Sequence, residues 1–114
     1  MEFTPSPPAL VAAFDAALPL EPDVVRRKMF GWPAAFVGGW MFASLHRDSI
    51  VVRLSEADLG ELLALPGAAR FEPMPGRAMK GYGTLPQMLH EDGDAIRSWI
   101  ERAYRAAAAL PPKR

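Results

Sequence analysis

Few side chains in this sequence are of the types that carry out chemistry, and they are spread along the chain. The only histidines are His46 and His90, and there is no cysteine. Disulfides, thiolate nucleophiles and cysteine-ligated metals are therefore excluded. Neither histidine has a second imidazole or a helical carboxylate at the spacing that metal sites use. We expect no metal site and no cofactor.

A Ser–His–Asp arrangement is conceivable around His46, because Asp48 and Ser49 follow it closely. A short turn that places His and Asp in neighbouring positions rarely orients a third group as a catalytic triad requires. His46 is better interpreted as an ordinary residue at a strand end. We expect no catalytic residues and no enzymatic activity.

Two further patterns have simple structural explanations. The acidic cluster of Glu91, Asp92 and Asp94 precedes a helical pattern, where acids cap a helix and interact favourably with its dipole. The glycines of the 80–83 segment do not form a phosphate loop, since no helix with a Lys-Ser or Lys-Thr opening follows. Neither pattern predicts a ligand site.

Basic residues are concentrated in the middle of the chain, although 13 Lys and Arg balance 13 Asp and Glu overall. They are Arg26, Arg27, Lys28, Arg47, Arg53, Arg77 and Lys80. On alternating strand positions such a run is usually a solvated face. Direct nucleic-acid binding is therefore only a third alternative, and zero formal net charge does not favour it.

Methionines and aromatic residues recur in the same region and admit two interpretations. They are Met29, Phe30, Trp32, Met41, Met74 and Met79. They form either a soft ligand pocket or, as we favour, part of the core and its edges, which methionine fills readily.

The length of 114 residues corresponds to one domain over residues 1–114, with short flexible tails at about 1–5 and 111–114. The N-terminus lacks the basic and long apolar regions of a secretory signal, so we expect a cytoplasmic protein. The abundance of Ala, Arg, Pro and Gly suggests a bacterial origin.

The apolar pattern predicts one helix, four strands, a second helix, one or two strands, and a last helix. Ser6 is the predicted cap of the first helix, and Gly38-Gly39 suits a two-residue hairpin turn. A second tight hairpin is predicted at Arg47-Asp48. The predicted fold class is α+β: two layers, an antiparallel sheet with helices packed on one face, in the order α-β-β-β-β-α-β(β)-α.

Strict alternation along the strands assigns side chains to two faces of the sheet. The face predicted to lie under the helices carries Ala34, Phe36, Met41, Ala43, Leu45, Ile50, Val52 and Leu54. The opposite face is predicted to remain uncovered as an interaction face, and it carries Val37, Trp40, Phe42, Val51 and Arg53. From this face, or from an adjoining strand edge, we predict a twofold homodimer.

Several short motifs resemble those of the TfoX N-terminal domain family. The resemblance runs from about Val24 to Ala109 and rests on the 27–31 run, the Gly38-Gly39 hairpin and the 41–43 run. Its motif residues are Lys28, Met29, Phe30, Gly31, Met41, Phe42, Tyr82 and Pro86, which we interpret as structural.

The resemblance implies a small antiparallel α+β fold similar to secretion-chaperone-like domains. In full-length members it implies a role in regulating natural competence together with the cyclic-AMP receptor protein. Those members carry a second, helical C-terminal domain that has no counterpart before Arg114. The family has no established catalytic residues, and position 32 carries Trp where its members usually carry Gly.

We therefore expect a non-enzymatic protein-interaction module in a bacterial cytoplasm, with a regulatory role and a protein partner. It is expected not to bind a membrane. The alternative is a small-ligand-binding protein or an enzyme with a pocket between the sheet and the last helix, lined by Tyr82, Lys80 and His46.

Overall fold

The structure is a computed structural model that describes residues 3–113 of the chain. Its helices are α1 (Pro8–Ala17), α2 (Glu56–Leu63) and α3 (Gly93–Ala108), with a short 3-10 helix at Gln87–Leu89. Its strands are β1 (Val24–Met29), β2 (Trp32–Val37), β3 (Trp40–His46), β4 (Ser49–Arg53), β5 (Ala69–Arg70) and β6 (Tyr82–Thr84).

The six strands form one antiparallel sheet in the order β1-β2-β3-β4-β6-β5. Consecutive hairpins build the first four positions. After α2 in the chain, β6 pairs with β4, and β5 lies at the edge. The order of elements and the α+β class are those predicted from the sequence.

The main core lies between the helices and one face of the sheet. Helix α3 contributes Ile96, Ile100 and Ala103, each fully buried, and α1 contributes Phe14. Burying a large apolar side chain stabilises the fold by roughly 1.5–3 kcal/mol, so this layer is the main source of stability. None of the helices in the described residues is long and apolar enough to cross a membrane.

Two of the three α-helices have a side-chain cap at their N-terminus. The Ser55 side chain accepts a hydrogen bond from the Asp58 N–H, and the Asp92 side chain accepts one from the Ala95 N–H. Ser6 does not cap α1, which begins after Pro7; instead its hydroxyl donates to the Arg47 carbonyl. The first turn of α1 already contains Pro8, which has no N–H for a side-chain cap to bind.

The turn between the first two predicted strands lies at Phe30-Gly31, so β1 ends at Met29 and β2 begins at Trp32. Phe30 and Gly31 form this turn with φ of 54° and 91°, a pair of positive angles typical of a type I′ hairpin. A side chain on Gly31 would be strained by this φ, and its Cβ would lie 2.7 Å from the Phe3 ring, which would have to shift. The β1–β2 hairpin was missed because aromatic residues rarely adopt such angles.

A bulge in β3 makes half of the predicted register wrong. Ala35 pairs with Ala43 while Phe36 pairs with Met41, which leaves Phe42 as an extra residue. Paired residues share a face, so Ala35 lies under the helices and Phe36 and Met41 lie on the opposite face. The predicted faces of β4 and of Ala43 and Leu45 in β3 are correct, but those of Ala34, Phe36, Met41 and Phe42 are reversed.

The opposite face is not uncovered, contrary to the prediction. Ala34 and Val51 on this face are fully buried, and Ser44 is nearly so. The Phe71 ring, which follows β5, contacts His46 at one end of this face, and the hydroxyl of Tyr82 at the start of β6 donates to the Met41 carbonyl at 3.0 Å. The non-helical segment therefore supplies part of a second layer.

The terminal segments that we predicted as free tails pack against two hairpins where they are described. The Trp32 indole N–H donates to the Thr4 carbonyl, and the Trp40 indole N–H donates to the Pro111 carbonyl, both at 2.8 Å. The Lys113 N–H also donates to the Gly38 carbonyl. The predicted tail positions 1, 2 and 114 lie outside the described residues.

Candidate binding site at the β1–β2 hairpin

An apolar cavity of about 260 Å³ opens beside the β1–β2 hairpin, on the sheet face away from the helices. We call it the hairpin pocket. It is lined by Met29, Phe30, Trp32, Met41, Ser44, Leu45, His46, Phe71, Pro73 and Met79. Its volume lies just below the ~300–1,000 Å³ of typical small-molecule sites, which suits one large apolar side chain or a small apolar ligand.

The sequence analysis named six residues as a possible soft ligand pocket. Five of them line this cavity, and the exception is Met74. We favoured core packing for them, and the structure shows instead that they surround an open space. Methionine is flexible and polarisable, so a pocket rich in methionine adapts to apolar partners of different shapes. The hairpin pocket can therefore bind an apolar group without a rigid match in shape.

Phe30 is the most unusual residue of this site. Its backbone adopts a left-handed φ of 54°, and its side chain is 85% exposed at the edge of the pocket. This backbone conformation is energetically unfavourable for a bulky residue, and the exposed ring adds little stabilisation through burial. The motif residue Phe30 is thus a turn residue that lies outside the core.

The imidazole of His46 forms part of the pocket wall rather than a catalytic centre. It packs between the Trp32 and Phe71 rings, with centroid distances of 4.8 and 5.1 Å. Burial, and to a lesser extent the charge of Arg47, lower its pKa, while Asp48 opposes the shift. In the described part of the chain its ring has no hydrogen bond to Asp48 or Ser49, so the geometry contains no triad.

The remaining motif residues have structural roles in different places. Phe42 is fully buried and meets the Tyr104 ring of α3 edge-on at 5.6 Å. Burial raises the pKa of Tyr82, whose hydroxyl donates a hydrogen bond to the Met41 carbonyl. Pro86 is fully buried and precedes the 3-10 helix, and Lys28 lies exposed on β1.

The predicted interaction face does not exist as an exposed surface. Val37, Phe42 and Val51 are buried, the first two beneath the helices. Trp40 is partly buried, with the guanidinium of Arg53 5.3 Å from its ring centre. The bulge and the cover from the β5–β6 segment account for this error. The homodimer stays a prediction, and of its two predicted surfaces the adjoining strand edge is the one left.

The alternative pocket lined by Tyr82, Lys80 and His46 is not formed either. His46 lines the hairpin pocket on the far side of the sheet from α3, whereas Lys80 lines a separate depression next to α2. The space between the sheet and α3 is filled by fully buried side chains such as Phe42 and Ile100. Among residues 3–113 no group of three or more His, Asp or Glu side chains is placed to hold a metal ion.

The cations beside the pocket differ in their partners. Arg26 forms a two-pronged ion pair with Asp15 of α1, at 3.0 and 3.1 Å. Arg27 places its guanidinium 4.2 Å from the centre of the Phe36 ring. Neither Arg27 nor Lys28 has an acidic partner in the described range. Two cations without acidic partners in this range therefore lie on β1, directly before the pocket residue Met29.

Sequence reasoning missed the site because it treated the Phe30-Gly31 dipeptide as strand. The signal that could have located it is a Gly at the second position of a two-residue turn between two strand-like runs. With that turn in place, Met29 and Trp32 become neighbours at the hairpin end and the pocket follows.

Comparisons with known proteins identify the family and nothing finer. No curated protein and no solved structure matches the chain. The family described as TfoX N-terminal domain matches residues 16–107, a range that includes β1, the hairpin pocket and the core of α3. The chain belongs to the TfoX N-terminal domain family.

Proposed function

We propose that this domain is a non-enzymatic protein-interaction module whose binding surface is the hairpin pocket with Phe30 at its edge. The observation that carries the proposal is the combination of a strained backbone and an 85% exposed aromatic ring beside an apolar cavity. Strained residues that do not improve packing occur mainly at functional sites. Exposed aromatic residues beside a cavity are typical of binding hot spots.

The chemistry of the lining supports binding rather than catalysis. Apart from Ser44, the only polar side chain in the lining is His46, whose lowered pKa favours the neutral form near neutral pH. A neutral imidazole between two aromatic rings stabilises an apolar guest mainly by contact. A regulatory role, as implied for the full-length relatives, would then be exercised through a protein partner in a bacterial cytoplasm.

The test compares three tagged forms of the chain purified from the source cell: wild type, Phe30→Asn and Met88→Asn. Met88 is the matched control, because it is also an apolar residue with a largely exposed side chain, at 69%. Each protein that copurifies is then produced separately and its affinity for the three forms is measured.

We expect a partner whose affinity falls about tenfold or more for Phe30→Asn, since removing a hot-spot residue costs about 2 kcal/mol or more. Its affinity for Met88→Asn should be unchanged. Equal affinity of every copurifying protein for all three forms would contradict the proposal.

A second candidate function is binding of a small apolar molecule in the same pocket, favoured by its enclosure by ten residues. Native mass spectrometry of the protein purified from its source distinguishes the two. A bound mass of a few hundred daltons that is lost in Met41→Trp, which fills the cavity, would favour the small ligand. Unliganded protein that still binds a protein partner through Phe30 would favour the interaction module.

A further inference from the structure

The edge strand β1 leaves backbone hydrogen-bonding groups unpaired next to the hairpin pocket. In an antiparallel pair, successive residues alternately face their partner strand and the open side. The Val24 N–H bonds to the Glu21 carbonyl instead of β2, and Lys28 pairs with Pro33, which has no N–H. Both observations place the backbone groups of Val24, Arg26 and Lys28 on the open side.

These outward groups have no other backbone partner among residues 3–113, except the N–H of Val24. The edge at the other end of the sheet is β5, which has only two residues and is too short to pair with an added strand. Strand β1 is six residues long and ends at Met29, a lining residue of the hairpin pocket. An added strand on this edge would therefore run directly past the pocket.

The charges on β1 specify what kind of strand fits. Within residues 3–113 Arg27 and Lys28 have no acidic partner, and they point to opposite faces because side chains alternate along a strand. A second copy of β1 would place Arg26, Arg27 and Lys28 against the same three cations, which is unfavourable. A strand with acidic side chains opposite Arg27 and Lys28 is favourable on both faces.

We propose that β1 binds an extended acidic segment of a protein partner as a seventh strand of the sheet, a proposal that rests on the proposed function. The partner residues opposite Arg27 and Lys28 are acidic. The residue opposite Met29 is apolar and enters the hairpin pocket, because cross-strand neighbours share a face. Main-chain hydrogen bonds to Arg26 and Lys28 supply affinity, and the two acids and the apolar residue supply specificity.

Cations on an edge strand also serve simply to prevent edge-to-edge aggregation. That role requires no neighbouring pocket and no strained aromatic residue at the end of the strand. It also predicts that no peptide binds. The two interpretations therefore differ in a measurable way.

The experiment selects random heptapeptides displayed on phage against the immobilised chain and measures the affinity of synthetic copies of the selected peptides. We expect peptides with two adjacent acidic residues followed or preceded by an aromatic or aliphatic residue. The double variant Arg27→Glu with Lys28→Glu should bind them about tenfold or more weakly. The control Arg70→Glu with Arg77→Glu changes the net charge equally, with Arg70 on the opposite edge, and should retain binding.

Amide hydrogen exchange identifies the mode of binding. A bound strand should slow exchange at the Arg26 and Lys28 N–H groups, while the Arg27 N–H, already bonded to β2, stays slow with and without peptide. No enriched peptides, or enrichment of neutral or basic ones, would overturn the proposal. So would a 20-base-pair DNA duplex that binds through Arg27 and Lys28 when the peptides do not.

The two proposals fail in different ways. A protein partner that depends on Phe30 but tolerates the Arg27→Glu, Lys28→Glu variant would overturn the edge proposal and leave the proposed function intact. Partners that ignore Phe30 would overturn the proposed function itself.

Discussion

Phe30 is the residue at which stability and the proposed function favour different side chains. A left-handed φ costs a residue with a side chain about 1–2 kcal/mol relative to a favourable conformation, and Asn tolerates this region better. The Asn-Gly pair is the preferred sequence for the turn that Phe30 and Gly31 form. The native sequence thus retains a residue that the turn does not favour.

Phe30→Asn should therefore stabilise the protein by about 1 kcal/mol, because the exposed ring contributes little burial. Phe30→Ala, which keeps a Cβ at the same strained position, is the control and should show no such gain. Urea denaturation measures both changes. A clear loss of stability in Phe30→Asn would show that the Phe30 ring makes stabilising contacts, contrary to this prediction.

The two histidines make stability depend on pH. Burial is the main cause that lowers the pKa of His46 and of His90, with Asp48 opposing both shifts. The unfolded chain, with an ordinary pKa of about 6.5, then binds protons more readily than the folded one. The stabilisation is complete above that pKa and is lost as the pH falls from there through the lower pKa of the folded state.

The melting temperature should accordingly fall between about pH 7 and pH 5. The His46→Phe, His90→Gln double variant should show a smaller fall over the same range. Differential scanning calorimetry at several pH values measures this. A melting temperature that rises on acidification, or an equal fall in both proteins, would refute the assignment to these histidines.

At the scale of elements, the bulge at Phe42 decides which side chains the helices cover. It brings Phe42 beneath α3, against Tyr104, and moves Met41 to the opposite face. Counting residues from the Gly38-Gly39 turn could not reveal the bulge, because the residue types of a bulged strand can be the same as those of a regular one. The elements themselves, and the caps of α2 and α3, were predictable because each depends on local pattern alone.

Phe42→Ala should destabilise the fold by about 3–5 kcal/mol, the usual cost of removing a buried aromatic side chain. Met41→Ala should cost clearly less, because Met41 is partly exposed and lines a cavity. Chemical denaturation of both variants provides the comparison. A larger loss in Met41→Ala would support the register without a bulge.

Two tryptophans hold the ends of the chain to the hairpins. Trp40→Phe keeps the ring but removes the N–H that donates to the Pro111 carbonyl. We expect faster amide exchange or proteolysis after residue 110, with the rest of the fold unchanged. Trp32→Phe is the matched variant at the other end and should leave the C-terminal segment unaffected. Equal protection of that segment in Trp40→Phe and wild type would contradict the role of this hydrogen bond.

For the whole molecule, the sequence predicted the fold class, but its candidate interaction face lies on a part of the sheet that is largely buried. The prediction assumed that only helices can cover a face, whereas the β5–β6 segment and its Phe71 cover part of the second one. That cover depends on long-range contacts that no local pattern encodes. The methionine-rich set was visible in the sequence, but the open space between its members was not.

We propose that this domain meets its partner through the β1–β2 hairpin. The most direct test places a photo-crosslinking amino acid, one position at a time, at Val25, Phe30, Leu20, Met74 and Met88, all exposed apolar positions. Crosslinking is carried out in the source cell. We expect the same heterologous protein to be crosslinked from positions 25 and 30. Positions 20 and 88 should not crosslink it, and position 74 should crosslink it weakly or not at all. Crosslinks from 20 or 88 but none from 30 would contradict it.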